Sequence, residues 1–326
     1  MKIALIGTGA YALAMGKVLS TNSQLKLTFW TESPANIDKL KKKDYLNTII
    51  PNFEMPKNIT ITPSYQEAIK DAQIIFVMVA AKYVDDVAKN LKSIIKSEQH
   101  VVICSKGIEQ DHCNFVHEVW LNYISTKRLA VISGPSFAVD IAKGDPVGLA
   151  MASKAKVTAE LLFSIFKNTT VKLRKSSDML GVELCGSIKN VIAMASGMVA
   201  GLGYSDSTSA FLINESIHDI KELIKKLGGK KKTILSFAGI GDLVLSCTST
   251  KSRNYSFGYL IGSGASKKEI EDYLNTTTVE GYYTIKSIYN LIKKKSIDMP
   301  TVDLIYRITV NNESPKLLIK FLMTKK

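Results

Sequence analysis

Lys189 lies in an apolar stretch, residues 179–203, whose only charges are Glu183 and Lys189. Burying an unpaired ammonium costs several kcal/mol, roughly, so a buried lysine needs a partner, a shifted pKa or a task. If the stretch is a helix, Cys185, Gly186, Ile192 and Ala193 share its face, with Ser196 a turn further on. Most of these are small, which reads as room for something other than protein. The bland alternative is a lysine that snorkels from the helix edge. A second unusual charge is Asp242, an acid in the apolar setting FAGIGDLVLSCTS. That segment runs on to Ser252, Arg253 and Asn254, which offer hydroxyl, guanidinium and amide donors suited to a phosphate. A polar surface turn is the plain alternative for such a tripeptide.

The start of the chain carries a different chemistry. Gly7, Gly9 and Ala12 form a GxGxxA turn between a short apolar strand and a helix, with Ala10 and Tyr11 between them. The first glycine permits the tight turn, the second lets the backbone approach a pyrophosphate, and a small third residue allows close helix–strand packing. The helix N-terminus supplies free N–H groups and a positive dipole. This context indicates a dinucleotide site rather than a bare turn. Glu32 follows the second strand, where an acid can accept hydrogen bonds from ribose hydroxyls. A 2′-phosphate would meet that carboxylate unfavourably, and the nearest compensating base is Lys39. The expectation is a preference for NAD over NADP.

These residues must be positioned by two kinds of architecture. In the first half, strand and helix signals alternate: 2–6, 25–30, 59–62, 73–79, 101–105 and 130–133 read as strands, with helical spacing at 12–20, 35–43, 65–70 and 84–95. Such alternation indicates a doubly wound parallel sheet. Lys106 and Gly134 each follow one of these strands, where open α/β sheets place ligands, and Ser136 lies two residues beyond Gly134. From about residue 177 strand signals cease. Helices are expected over 179–203, 209–226, 231–237, 267–274, 284–295, 301–309 and 316–323. The predicted division is a Rossmann-like α/β domain, residues 1–176, followed by an all-helical domain, residues 177–326.

Bulk properties narrow the function classes. The chain has 326 residues, with 46% hydrophobic and 22% charged, ordinary for a globular protein of two domains. The net charge is +14, and only four of the 43 basic residues are arginine. The lysines are scattered and no basic stripe interleaves with aromatics, so nucleic-acid binding is not expected. Four cysteines without paired spacing argue for a reducing compartment. His112, Cys113 and His117 lack a fourth ligand and zinc-finger spacing, so no metal site is expected. No leader or spanning segment is read from the sequence, which leads to the expectation of a cytoplasmic protein without membrane insertion.

Together these segments resemble NAD(P)-dependent glycerol-3-phosphate dehydrogenase of the bacterial single-enzyme type. The matching pieces are GTGAYA, SKG at Ser105, GPSFA at Gly134, CGSIKNVIAMASGM around Lys189, GIGDLVLSCTS with SRN near Asp242, VEGY at Val279 and DMP at Asp298. They run through nearly the whole chain. The resemblance implies Lys189 as general acid/base, with Asp242 holding Lys189 and the substrate. It places Lys106, Gly134, Ser136, Ser252, Arg253 and Asn254 on the dihydroxyacetone phosphate or sn-glycerol 3-phosphate. Ala10, Tyr11, Lys106, Ala138, Arg253 and Glu280 would touch the NAD or NADP. It also implies a homodimer that supplies glycerophospholipid synthesis. Two departures concern the cofactor. The turn reads AYA where relatives often have a serine, an aromatic and a glycine, and Glu32 stands where a basic or imidazole side chain often favours NADP. Competing readings are a ketopantoate reductase, a β-hydroxyacid dehydrogenase or a dinucleotide-sensing regulator. The β-hydroxyacid family commonly has an asparagine four residues after the lysine, and here that position is Ala193.

Overall fold

The computed structural model describes residues 1–110, 112–123 and 128–325. It divides into two compact units: Met1–Ser105 with Val116–Met179, and Lys106–Phe115 with Leu180–Lys326.

The first unit is built on eight strands: β1 (Lys2–Ile6), β2 (Lys26–Trp30), β3 (Ile59–Thr62), β4 (Ile74–Val77), β5 (His100–Ile103), β6 (Leu129–Ser133), β7 (Val147–Ser153) and β8 (Val171–Ser176). They form one sheet in the order β3-β2-β1-β4-β5-β6-β7-β8. β1, β4, β5 and β6 are nearly or fully buried along their lengths, as strands covered on both faces must be. The helices α1 (Ala10–Ser20), α2 (Pro34–Leu40), α3 (Lys43–Ile49), α4 (Tyr65–Ile69), α5 (Val84–Leu91), α6 (Val116–Tyr123), α7 (Ala138–Lys143) and α8 (Lys156–Phe166) complete the unit. The order reverses at β1, so β2 and β4 flank it and leave the switch-point crevice beside the glycine turn. α1 packs against α7. Gly16 lets α1 lie directly on the sheet, because a Cβ there would overlap the Phe29 ring.

Two features depart from the sequence reading. β7 and β8, with α8 between them, extend the sheet beyond the expected strands. β6 and β7 also pair antiparallel, so the sheet is parallel-dominated rather than wholly parallel. β8 reads VKLRKS, and its exposed lysines and arginine suit an edge strand.

The second unit is helical: α9 (Met179–Gly201), α10 (Asp206–Lys226), α11 (Asp242–Thr248), α12 (Arg253–Gly262), α13 (Lys267–Thr276), α14 (Glu280–Lys294), α15 (Pro300–Val310) and α16 (Leu317–Thr324). α9 is long and apolar enough to cross a membrane, but its most apolar window is 89% buried in protein. The expected helix over 231–237 is instead a 3₁₀ segment, Lys231–Leu235. α12 was not anticipated. Its glycines, Gly258 and Gly262, look like helix breakers in sequence. In the fold a Cβ on Gly258 or Gly262 would overlap the α9 backbone at Met194 and Met198. Reciprocally, a Cβ on Gly197 or Gly201 of α9 would overlap the α12 backbone at Tyr255 and Tyr259. The glycines therefore let the two helix backbones touch, which side chains at the crossing would prevent.

Candidate active site

In the second unit, α9 carries Lys189 and the start of α11 carries Asp242. Asp242 follows a single π turn, Phe237–Gly241, in which Gly239 has non-helical angles and Ser236 caps the Gly239 N–H. A Cβ on Gly239 would overlap the Ile234 carbonyl, so only glycine lets the turn fold this tightly. π-helical turns are rare, and those that occur lie frequently at functional sites. Here the turn delivers Asp242, 1% exposed, to Lys189, 8% exposed.

The two side chains form an ion pair, Nζ to Oδ1 at 3.0 Å. Lys106, from the Lys106–Phe115 segment that belongs to this unit, pairs with Oδ2 at 2.7 Å. Lys189 also donates to Ser246 Oγ at 2.7 Å, and Ser246 donates to Asp242 Oδ1 at 3.5 Å. Ser246 is four residues after Asp242 on α11 and therefore on the same face. The sequence reading missed it, although that spacing was available as a signal. Two ammonium groups thus converge on one buried carboxylate. Burial drives the Lys189 pKa down, Asp242 raises it and Lys106 lowers it, leaving it at about 8 instead of 10.5. An amine with that pKa can both give and take a proton near neutral pH. Beside it, burial pushes the Cys247 thiol well up, which keeps it an inert neutral neighbour.

Further along the Lys189 face, Ser196 serves helix packing. Cys185, Ile192, Ala193 and Ser196 are all buried, and Ser196 donates to the Cys247 carbonyl at 2.8 Å. Ser196 thus faces α11, and at Gly197 the α12 backbone fills the space.

Residues 252–254 are the start of α12 rather than a free turn. Ser252 is its N-cap, 4% exposed, and accepts from the Tyr255 N–H. Arg253 is exposed, and Asn254 is 9% exposed. A helix N-terminus bearing serine, arginine and asparagine is suited to an anion. Asn254 donates to Asn190 Oδ1 at 3.0 Å and accepts from the Gly281 N–H at 2.8 Å. Glu280 is the first residue of α14.

The remaining residues lie in the first unit. Gly7 has φ +120°, and a Cβ there would lie 3.0 Å from the Met78 carbonyl. Gly9 is the N-cap of α1, and a Cβ built on it meets nothing within 4 Å. The first glycine is thus required by the turn, while the second faces open space, as a backbone approached by a pyrophosphate should. Ala10 and Tyr11 open α1, and Thr8 and Thr31 hydroxyls meet at 3.3 Å. Glu32 is exposed at the end of β2 and accepts from Asn36 at 3.4 Å. Gly134 leaves β6, where a Cβ would lie 2.8 Å from the Gly148 carbonyl. Ser136 donates back to the Gly134 carbonyl at 2.9 Å, and Ala138 opens α7, the helix packed on α1. The fold therefore gathers Lys106, Lys189 and Asp242 within contact distance, and it sets the glycine turn and Ala138 on neighbouring helices.

Residues 2–159 match the family model for the N-terminus of NAD-dependent glycerol-3-phosphate dehydrogenase, and residues 178–320 match the model for its C-terminus. The chain belongs to this family. It is 33% identical over 325 residues to the glycerol-3-phosphate dehydrogenase [NAD(P)+] of Staphylococcus saprophyticus, covering 99% of this chain and 97% of that one. The Staphylococcus aureus protein of the same name is 34% identical, with 99% and 98% covered. Among solved structures, the glycerol-3-phosphate dehydrogenase of Coxiella burnetii superposes with a TM-score of 0.93 at 29% identity, covering 99% of each chain. The chain is thus an NAD(P)-dependent oxidoreductase with the expected Rossmann-like and helical halves.

Proposed function

We propose that this dehydrogenase interconverts dihydroxyacetone phosphate and sn-glycerol 3-phosphate with Lys189 as the proton carrier. The observation that carries the assignment is the buried Lys189–Asp242–Lys106 cluster, in a chain whose two halves both match the family. NADH, when bound, supplies a hydride to C2 of the substrate. The protein's own part is to meet the charge that develops on the C2 oxygen. Protonated Lys189 polarises that oxygen and gives it a proton. Asp242 holds the ammonium, Ser246 fixes its direction, and Lys106 adds positive potential. In the reverse direction neutral Lys189 takes the hydroxyl proton.

Arg253 and Ser252, at the α12 N-terminus, anchor the phosphate, with Asn254 beside them. Anchoring a group remote from the reacting carbon turns binding energy into orientation at C2. Gly134 and Ser136 also serve the substrate. Gly7, Gly9, Ala10, Tyr11, Ala138 and Glu280 serve the dinucleotide, with Lys106 and Arg253 touching both ligands. Glu32 favours NAD, because its carboxylate accepts ribose hydroxyls and repels a 2′-phosphate. We assign dinucleotide binding to residues 1–176 and substrate chemistry to 177–326, with Lys106 serving the second. The enzyme works as a cytoplasmic homodimer and supplies glycerophospholipid synthesis.

Oxidation of NADH on addition of dihydroxyacetone phosphate, repeated with NADPH, tests this directly. Substrate-dependent turnover with a higher kcat/KM for NADH is expected. Turnover with ketopantoate but not with dihydroxyacetone phosphate would refute the substrate, and a strong NADPH preference would refute the role of Glu32. Light scattering on the purified protein checks the dimer.

A further inference from the structure

Three residues adjacent to proposed functional positions are tied together by two buried hydrogen bonds. Asn190 follows Lys189, Asn254 follows Arg253, and Gly281 follows Glu280. Asn190 Oδ1 accepts from Asn254 Nδ2 at 3.0 Å, and Asn254 Oδ1 accepts from the Gly281 N–H at 2.8 Å. Asn190 is 4% exposed and Asn254 is 9% exposed, so water does not replace these bonds readily. Flipping the Asn254 amide would set its NH₂ against the Gly281 N–H and its oxygen against Asn190 Oδ1. Both contacts are then mismatched, so the orientation is fixed.

Gly281 contributes a second constraint. A Cβ there would lie 2.6 Å from the Asn190 carbonyl oxygen and 3.0 Å from Asn254 Oδ1. The first of these contacts is with backbone, which cannot turn aside as a flexible side chain would. The start of α14 can close on α9 and hold the Asn254 amide only if residue 281 has no side chain.

We propose that Asn190 and Gly281 are positioning residues that fix the Asn254 amide, and through it the phosphate end of the substrate site. The proposal rests on the reading that residues 252–254 bind the substrate phosphate. One Nδ2 hydrogen of Asn254 is engaged by Asn190. The same two bonds then set the direction of the other hydrogen, which is the one available to a phosphate oxygen. Because Asn190 adjoins Lys189, the link also ties the anchor to the proton carrier on α9.

A double-mutant cycle tests this, with KM and kcat for dihydroxyacetone phosphate, KM for NADH and Tm measured throughout. Gly281→Ala is expected to raise KM for dihydroxyacetone phosphate about tenfold while kcat stays within about threefold, the split expected of a weakened anchor. Asn254→Ala is expected to raise it at least as much. The Asn190 side chain acts only through Asn254 and adds nothing once Asn254 is gone, so the Asn190→Ala/Asn254→Ala pair should match Asn254→Ala within about twofold. Multiplying penalties would overturn the proposal, as would an unchanged KM in Gly281→Ala. If Gly281→Ala does not accumulate as folded protein, Asn190→Ala carries the test. It removes one of the two bonds without adding bulk, and it should show the same KM rise. A wild-type KM in Asn190→Ala would overturn the proposal. The underlying reading fails separately: an unchanged KM in Asn254→Ala removes the phosphate site itself.

Discussion

The helical unit buries lysines against carboxylates in two places, and the charge ratio differs. At the start of α11, Lys189 and Lys106 converge on the single carboxylate of Asp242. Near the C-terminus, Lys325 faces two carboxylates from α10, Asp219 at 2.8 Å and Glu215 at 3.3 Å. Thr301, from the start of α15, donates to the same Asp219. The lysine side chains are similarly covered, 10% exposed for Lys189 and 13% for Lys325. Burial alone therefore does not distinguish a reactive lysine from a structural one. Two cations on one anion leave positive charge to be met by an anionic substrate or relieved by loss of a proton. One cation between two anions is already neutralised, and its energy goes into tying the end of α16 to α10.

Substitutions at the two sites should therefore separate chemistry from stability. The largest effect is expected for Lys189→Ala, which removes the proposed proton carrier. Its kcat should fall on the order of 10²–10⁴-fold, as for other general acids, with NADH binding nearly intact by fluorescence titration. Arg253→Ala should mainly raise KM for dihydroxyacetone phosphate, by about 10–100-fold for the loss of a charged hydrogen-bonding anchor, with a smaller change in kcat. At the comparison site, Lys325→Met should lower the unfolding free energy by about 1–2 kcal/mol in urea denaturation, because two partly covered carboxylates lose their cation. Its kcat should match wild type. A kcat loss comparable to that of Lys189→Ala would remove the distinction. The smallest effect is a shift in pH dependence. Lys106 lowers the Lys189 pKa, so Lys106→Met should move it up from about 8. Substrate affinity in that variant will also fall, so the shift should be read from NMR titration of the free enzyme.

The same charge logic has a stability consequence with a defined sign. The Lys189 pKa is about 8 in the fold and near 10.5 in an unfolded chain. Between these values the unfolded chain binds more protons, so this residue makes the fold more stable as pH rises from 8 to 10.5. Below pH 8 its ammonium is held at a cost in the free protein.

The sequence revealed these regions unevenly, for physical reasons. β1, β4, β5 and β6 are covered on both faces and read as unbroken apolar runs, so the parallel core was legible. β8 was not, because only Val171 and Leu173 are buried along it, too few to mark a strand. β7 escaped because it begins after Asp145 and Pro146 and pairs antiparallel with β6. α12 was hidden by Gly258 and Gly262, which suit a helix only where another backbone lies against them. Lys189 and Asp242 stood out as charges in apolar surroundings, and the fold joins them at 3.0 Å. Ser246, Asn190 and Gly281 did not stand out. A serine, an asparagine and a glycine gain their roles only from what the tertiary structure places beside them.

The pH dependence of kcat/KM for dihydroxyacetone phosphate reduction, in wild type and in Asp242→Asn, tests the central claim most directly. A Lys189 that donates its proton gives a wild-type rate that falls as pH rises through about 8. Asp242 raises that pKa, so Asp242→Asn should move the falling limb to lower pH, in addition to any loss of rate. A wild-type profile flat from pH 7 to pH 10, or a limb that Asp242→Asn leaves in place, would contradict Lys189 as the proton carrier tuned by Asp242.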